Sequence, residues 1–237
     1  MCDTGVEAIS IDSLVNLSEI SSLVPKSMIL MGNIDPVQVM VKMKPEVDEF
    51  MRTSAPDVIA VGDCAENRCY LTHQGICPML ASIATASARI GATNLFEIRV
   101  IRDIPGSVSV FSTKVGNKAF GCCGFTETMA RNSGYDIVTG TAEGIDRHPA
   151  SIPDATKLLI KLITLKGVNK LLGAEVMGGV STGEIINLLA LALQKRMTAG
   201  ELSTIQVGTH PMLTSPPTAY PVVIAALDAF SKDVSSR

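Results

Sequence analysis

Two short runs rich in β-branched and small residues, SVSVFSTKV (107–115) and KAFGCCGF (118–125), flank just two residues, Gly116-Asn117. A two-residue connection can join only antiparallel neighbours, because parallel strands need a crossover of about a dozen residues or more. The hairpin therefore commits the C-terminal half to an antiparallel sheet. The segments after it keep that rhythm. TETMARNSG (126–134) reads as a short helix closed by Gly134. YDIVTGTA and KLLIKLITL are further strands, and a turn at KGVN leads into a last strand, KLLGAEVMGG. STGEIINLLALALQKRM (181–197) opens with the spacing of a capping box, Ser181 with Glu184, and carries an apolar face at Ile185, Leu188, Leu189, Ala192 and Leu193. Most of its other side is apolar too, which predicts a helix buried all round, between subunits. A final helix is expected to begin near Tyr220-Pro221, where proline suits the first helical position. Strands, helix, strands, helix, helix make an α+β domain over 101–237.

The preceding residues follow different rules. In 47–100 an apolar run, VIAV, reads as a short buried strand that ends abruptly in Gly62 and a buried acid, Asp63, and CPMLASIATASARIGATNLF (77–96) reads as an alanine-rich helix begun by Pro78. Small residues at Ala81, Ala84 and Ala88 would let that helix approach a sheet or a ligand closely. Residues 1–46 read as β-α-β: VEAISI, a helical stretch in SEISSLV with Ile20, Leu23 and Val24 on one face, and SMILMGNIDP. One such unit cannot close a sheet or barrel by itself.

Composition narrows the partners. Hydrophobic residues make up 46% and charged residues 18% of 237, a globular balance. The net charge is −3, there is no long basic run, and aromatics are only 4%. These features argue against a nucleic-acid partner, which needs cationic phosphate contacts or stacking platforms. The longest apolar stretches, such as LLALAL, are too short to span a bilayer, and MCDTGVEAIS lacks a signal-peptide pattern. The expectation is a soluble cytoplasmic protein, away from membranes, whose six irregularly spaced cysteines are reduced thiols.

VDEFMRTSAPDVIAVGDCAE (47–66) resembles the second flavin-binding motif of the FAD-dependent pyridine nucleotide–disulfide oxidoreductases, a family that includes NADH oxidases and coenzyme A–disulfide reductases. GAEVMGG with its following apolar helix, and HPMLTSPPTAYPVVIAALDA (210–229), resemble the same family's C-terminal dimerisation domain. The resemblance implies that Asp63 takes a ribityl hydroxyl of FAD. Gly62 would let backbone approach the cofactor, and the helix start around Met79, Leu80 and Ala81 would direct N–H groups at the flavin's pyrimidine edge. The alternative is that Gly62-Asp63 is only a strand-to-loop turn. The resemblance also implies NAD(P)H as the hydride source and a homodimer formed through 101–237. No G-x-G-x-x-G for a pyrophosphate exists in the sequence, and the family's redox cysteine has no counterpart. The expected function is thus the C-terminal portion of an FAD-dependent NAD(P)H oxidoreductase, incomplete for catalysis alone, with a partial FAD site and room for a partner chain that supplies the nucleotide-binding domains. The competing function is a non-catalytic dimerisation module.

DTGVEAISID and LMGNIDPVQVM resemble a second family, uroporphyrinogen decarboxylase and the methylcobamide:coenzyme M methyltransferases. Those are TIM barrels, so 1–46 would correspond to one β-α-β of a barrel, joined near Pro45–Asp48, as in a truncated or fused reading frame. A fragment of a corrinoid-linked methyltransferase is accordingly a further reading.

Three other constellations carry chemistry. Cys64, Cys69, His73 and Cys77 have donor types that suit zinc, but no C-x-x-C, and variable loop cysteines are the simpler reading, so no metal is expected. Cys122-Cys123 is either a redox pair or a core residue beside a surface thiol. His210-Pro211 matches the place where the disulfide reductases put a histidine that reaches the partner's flavin as general acid–base, oriented by a glutamate five residues on; here that position is Ser215. The other reading of His210 is packing at a dimer interface. His148 precedes a proline in a polar loop and reads as solvated.

Overall fold

The structure, a computed structural model, describes residues 8–10, 22–23, 29–31, 45–76, 78–99 and 106–235. The chain divides into two compact units, one of Met1–Arg68 with Gln74–Pro105 and one of Cys69–His73 with Gly106–Arg237.

In the first unit, β1 (Ala8–Ser10) and β2 (Ile29–Met31) pair in parallel, Ile9 opposite Leu30, as a β-α-β reading requires. The crossover helix expected over 18–24 lies outside the described residues except for a turn at 22–23. A two-residue ribbon follows, β3 (Asn67–Arg68) against β4 (Gly75–Ile76). Helix α1 runs over Ala81–Thr93, starting later than Pro78 and ending before Phe96. It packs Ile90 into a small core with Val47, Met51, Ala60 and Ala65. The VIAV run is not a strand. Its backbone makes one antiparallel bridge, Ile59 with Arg52, and a bond from Ala60 N to Met51 O at 3.1 Å. A strand exists through its ladder, and among the described residues no neighbour offers one.

The second unit is the expected α+β domain. β5 (Val110–Val115), β6 (Lys118–Gly124), β7 (Ile137–Ile145), β8 (Lys157–Leu165) and β9 (Leu171–Gly178) form one antiparallel sheet in the order β5-β6-β9-β8-β7. The Gly116-Asn117 hairpin stands as read, with Gly116 at φ +58. Residues alternate between the faces. Gly121, Cys123, Ala174, Val176, Ile160, Leu162, Gly140 and Ala142 share one face by register. Helices α3 (Thr182–Gln194) and α5 (Pro221–Ser235) cover that face. Helix α2 (Glu127–Asn132), capped by Thr126, packs Ala130 with Phe125, Ile137, Ile163 and Leu172.

Glycine sets how closely the helices approach. A Cβ on Gly121 would lie 2.9 Å from Ile186 Cβ of α3, and one on Gly140 would lie 2.0 Å from Ala225 O of α5. Burial on α3 differs from the sequence expectation. Ile186, Leu189, Ala190, Ala192 and Leu193 are buried, whereas Ile185 and Leu188 are half-buried and Leu191 is exposed. The face carrying Ile186, Leu189 and Leu193 is therefore spent on its own sheet, and each large side chain contributes roughly 1.5–3 kcal/mol by leaving water. Ser181 makes no capping box either. It has helical φ/ψ, and its hydroxyl donates to Asp146 Oδ2 at 3.2 Å. The capping box belongs instead to the four-residue α4 (Ala199–Leu202), between Thr198 and Glu201.

Candidate functional site

The candidate flavin residues come together locally. Gly62, Asp63 and Cys64 form one 3-10 turn after Val61, with Gly62 at φ +75. A β-carbon at Gly62 would stand 3.4 Å from Ala84 Cβ, so the turn lies directly on the first part of α1. Ser87, which the sequence reading did not single out, fixes this contact. Its buried hydroxyl accepts from Gly62 N at 3.1 Å and donates to Ala84 O at 2.9 Å. The available signal was a serine on the small-residue face of ASIATASARIGA.

Asp63 is exposed, not the buried acid that VIAVGD suggested. Met79, at φ +45 and 47% exposed, and Leu80, the N-cap, precede Ala81, the first helical residue. Leu80 offers the first turn no side-chain oxygen. Helix starts leave N–H groups in need of an acceptor and carry partial positive charge. A glycine that keeps backbone close to a helix, an exposed carboxylate beside it and a helix start without a side-chain cap fit the ribityl and pyrimidine end of a flavin.

The second candidate lies in the other unit. His210 is exposed on a tight turn, with Leu213 N and Thr214 N both donating to His210 O at 3.0 Å. Met212 N donates to His210 Nδ1 at 3.3 Å, and His210 N donates to Thr214 Oγ1 at 3.1 Å. Ser215 is buried and its hydroxyl donates to Ile145 O, so it does not replace an orienting carboxylate. His148 is not the solvated residue that its polar loop suggested. It is half-buried, its N–H donates to Pro211 O at 3.0 Å, and its ring Nδ1 lies 2.8 Å from Thr214 O.

Cys122 and Cys123 point to opposite faces of β6. Burial, aided by the Glu175 carboxylate, pushes the Cys122 thiol up to about 11, and burial beside Cys122 pushes Cys123 up to about 12. Thiols held neutral in this way are poor nucleophiles, which favours the core-plus-neighbour reading over a redox pair. Cys122 lines a groove of about 660 Å³ on the sheet face opposite α3 and α5, together with Phe120, Lys161 and Met177 and with none of the candidate site residues. Of the zinc-type donors, Cys77 lies outside the described residues; among the described residues no three histidine, cysteine or acidic side chains converge on one point. Among the described residues, no helix is long and apolar enough to cross a membrane.

Residues 110–220 match the pyridine nucleotide–disulphide oxidoreductase dimerisation domain, and residues 1–63 match uroporphyrinogen decarboxylase, running past the expected join near 45–48. The chain is 28% identical over 187 residues to an NADH oxidase of Methanocaldococcus jannaschii, covering 79% of this chain and 40% of that protein. It is 29% identical over 161 residues to an NADH oxidase of Enterococcus faecalis, covering 67% and 35%. Among solved structures, a NAD-dependent persulfide reductase from A. fulgidus superposes with TM-score 0.70 at 30% identity, over 79% of this chain and 34% of that one. The chain thus spans 40% or less of the length of each of these three relatives.

Proposed function

We propose, from the premise that the C-terminal part of this chain belongs to the pyridine nucleotide–disulfide oxidoreductase family, that the chain is the flavin-tail and dimerisation portion of an FAD-dependent NAD(P)H oxidoreductase. The observation that carries this reading is the Gly62-Asp63 turn pressed against α1 and held there by Ser87. Asp63 would accept a ribityl hydroxyl, and the backbone from Met79 to Ala81 would face the pyrimidine edge, where the helix start favours negative charge. FAD, when bound, supplies the chemistry of accepting a hydride from nicotinamide and passing electrons onward. This chain's residues only bind and orient it. The pyrophosphate contacts, which a glycine-rich loop at a helix start normally makes, have no counterpart among the 237 residues, so catalysis calls for nucleotide-binding domains beyond these residues, with a partner chain as one source.

The same reading makes the chain a soluble cytoplasmic homodimer joined through 101–237. With Leu189 and Leu193 buried against their own sheet, the surface proposed for pairing is the exposed stripe of α5, Ile224, Leu227, Phe230 and Val234, with Met212 and Leu213 beside His210. Exposed apolar side chains of this kind favour a self-complementary two-fold contact. In such a dimer His210 would face the partner's flavin as an acid–base group without its carboxylate. The non-catalytic dimerisation module is the second reading, favoured by the missing pyrophosphate loop. The parallel β1–β2 pair and the match over 1–63 support a barrel-derived N-terminal segment.

Flavin fluorescence titration and sedimentation test the proposal together. Weak FAD binding that Asp63→Ala abolishes, in a dimeric protein, is the expected result. Binding unchanged by Asp63→Ala, or a monomer of 25.0 kDa at micromolar concentration, would overturn it.

A further inference from the structure

We infer that His148 is a positioning residue for His210, holding the turn that fixes the ring and its tautomer. This rests on the reading of His210 as the residue that faces the reacting groups. The two rings carry opposite proton assignments. A carbonyl oxygen can only accept, so His148 Nδ1, 2.8 Å from Thr214 O, carries the proton. Met212 N–H can only donate, so His210 Nδ1 is the bare nitrogen and Nε2 bears the proton in the neutral ring.

His148 holds the His210 turn at two points, through its backbone N–H to Pro211 O at 3.0 Å and through its ring to Thr214 O. Both carbonyls flank Met212 and Leu213, so the clamp fixes the segment whose amide addresses His210 Nδ1. The anchor behind His148 is firm. Asp146, 5% exposed, accepts from Thr156 N at 2.7 Å, Thr156 Oγ1 at 2.8 Å and Ser181 Oγ at 3.2 Å, while its own N–H donates to Thr156 O. Ser215 ties the far side of the turn to Ile145 O. The loop after β7 thus supplies the support that a glutamate at position 215 would supply through a carboxylate. The means differ, because His148 acts through the backbone of the turn and does not touch the His210 ring.

The test is histidine-selective ¹⁵N NMR of the full chain, which reads ring protonation rather than turnover. Its outcome is therefore independent of whether His210 serves a flavin; His210→Gln in the assembled oxidoreductase addresses that separately. In the wild type, His148 is expected to show a protonated Nδ1 and His210 a bare Nδ1. His148→Phe should turn the His210 signals into a tautomer average and speed amide exchange at Met212 by about tenfold, the loss of one ordinary hydrogen bond. His148→Asn, whose amide can donate where Nδ1–H did, should preserve the wild-type pattern. If the phenylalanine variant fails to fold, His148→Gln serves in its place, since its donor sits one bond further out and should lose the pattern. A bare Nδ1 on His148, or His210 signals indifferent to both Phe and Gln, would overturn the inference.

Discussion

Gly140→Ala places a single methyl where α5 lies against β7. The new Cβ would stand 2.0 Å from Ala225 O and 2.6 Å from both Ala229 N and Ala229 Cβ. Two of those atoms are backbone and cannot rotate away, so the helix must retreat by more than an ångström to restore ordinary contact. A gap of about 0.5–1 Å already forfeits a quarter to a half of the dispersion well for each atom pair, and Val222, Ala225, Ala226 and Ala229 are all 0% exposed along this contact. The retreat also pulls Asp228 away from Thr141 N, now 2.8 Å apart. Overpacking typically costs about 1–3 kcal/mol, and a backbone obstruction places this site at the upper end. For a domain of this size about 3 kcal/mol corresponds to roughly 6–12 °C in melting temperature. Gly183→Ala is the matched control, with nothing within 4 Å of its new Cβ and a position inside α3, where alanine stabilises by up to about 1 kcal/mol. Thermal unfolding followed by far-ultraviolet circular dichroism compares the two. A Gly140→Ala protein melting within about a degree of wild type would refute the close-packing argument.

Leu193→Asp should unfold the second unit, since a charge placed at a 0% exposed site costs several kcal/mol, whereas Leu227→Asp should keep wild-type dichroism and sediment as a monomer; the reverse pattern would return the interface to α3. Glu127 is held below its ordinary 4.5 by hydrogen bonds from Lys161 and Arg131. Its stabilisation is therefore full above that value and lost as pH falls through the depressed one. Wild type should accordingly exceed Glu127→Gln in urea midpoint at neutral pH, with the gap closing in acid; a pH-independent gap would contradict this. Iodoacetamide at neutral pH should leave Cys122 and Cys123 unmodified until urea is added, because burial holds both thiols neutral, and rapid labelling of folded Cys122 by mass spectrometry would refute it.

What the sequence determined by itself was local. Gly116-Asn117 dictated a hairpin, the run KLLIKLITL matched β8 from end to end, and Tyr220-Pro221 marked the start of α5. Each of these rests on interactions within a few residues, so a single chain segment carries the information. The Gly62-Asp63 turn was legible in the same way, as a glycine and an acid ending an apolar run, although Ser87, 25 positions away, was not. The tertiary structure decided every matter that depended on a distant partner. VIAV had the composition of a strand but found no ladder among the described residues. Ser181 had the spacing of a cap and bonded instead to Asp146, 35 positions away. Leu189 and Leu193 looked like interface residues because the sequence does not say which apolar face meets β6 and β9. His148 read as solvated because its partners, Pro211 and Thr214, lie more than sixty positions along the chain. Hydrophobic periodicity and turn chemistry reveal that a side chain will be buried or a backbone will turn. Which group it then meets depends on loop closure and packing across the whole unit, and only the assembled sheet and helices specify that.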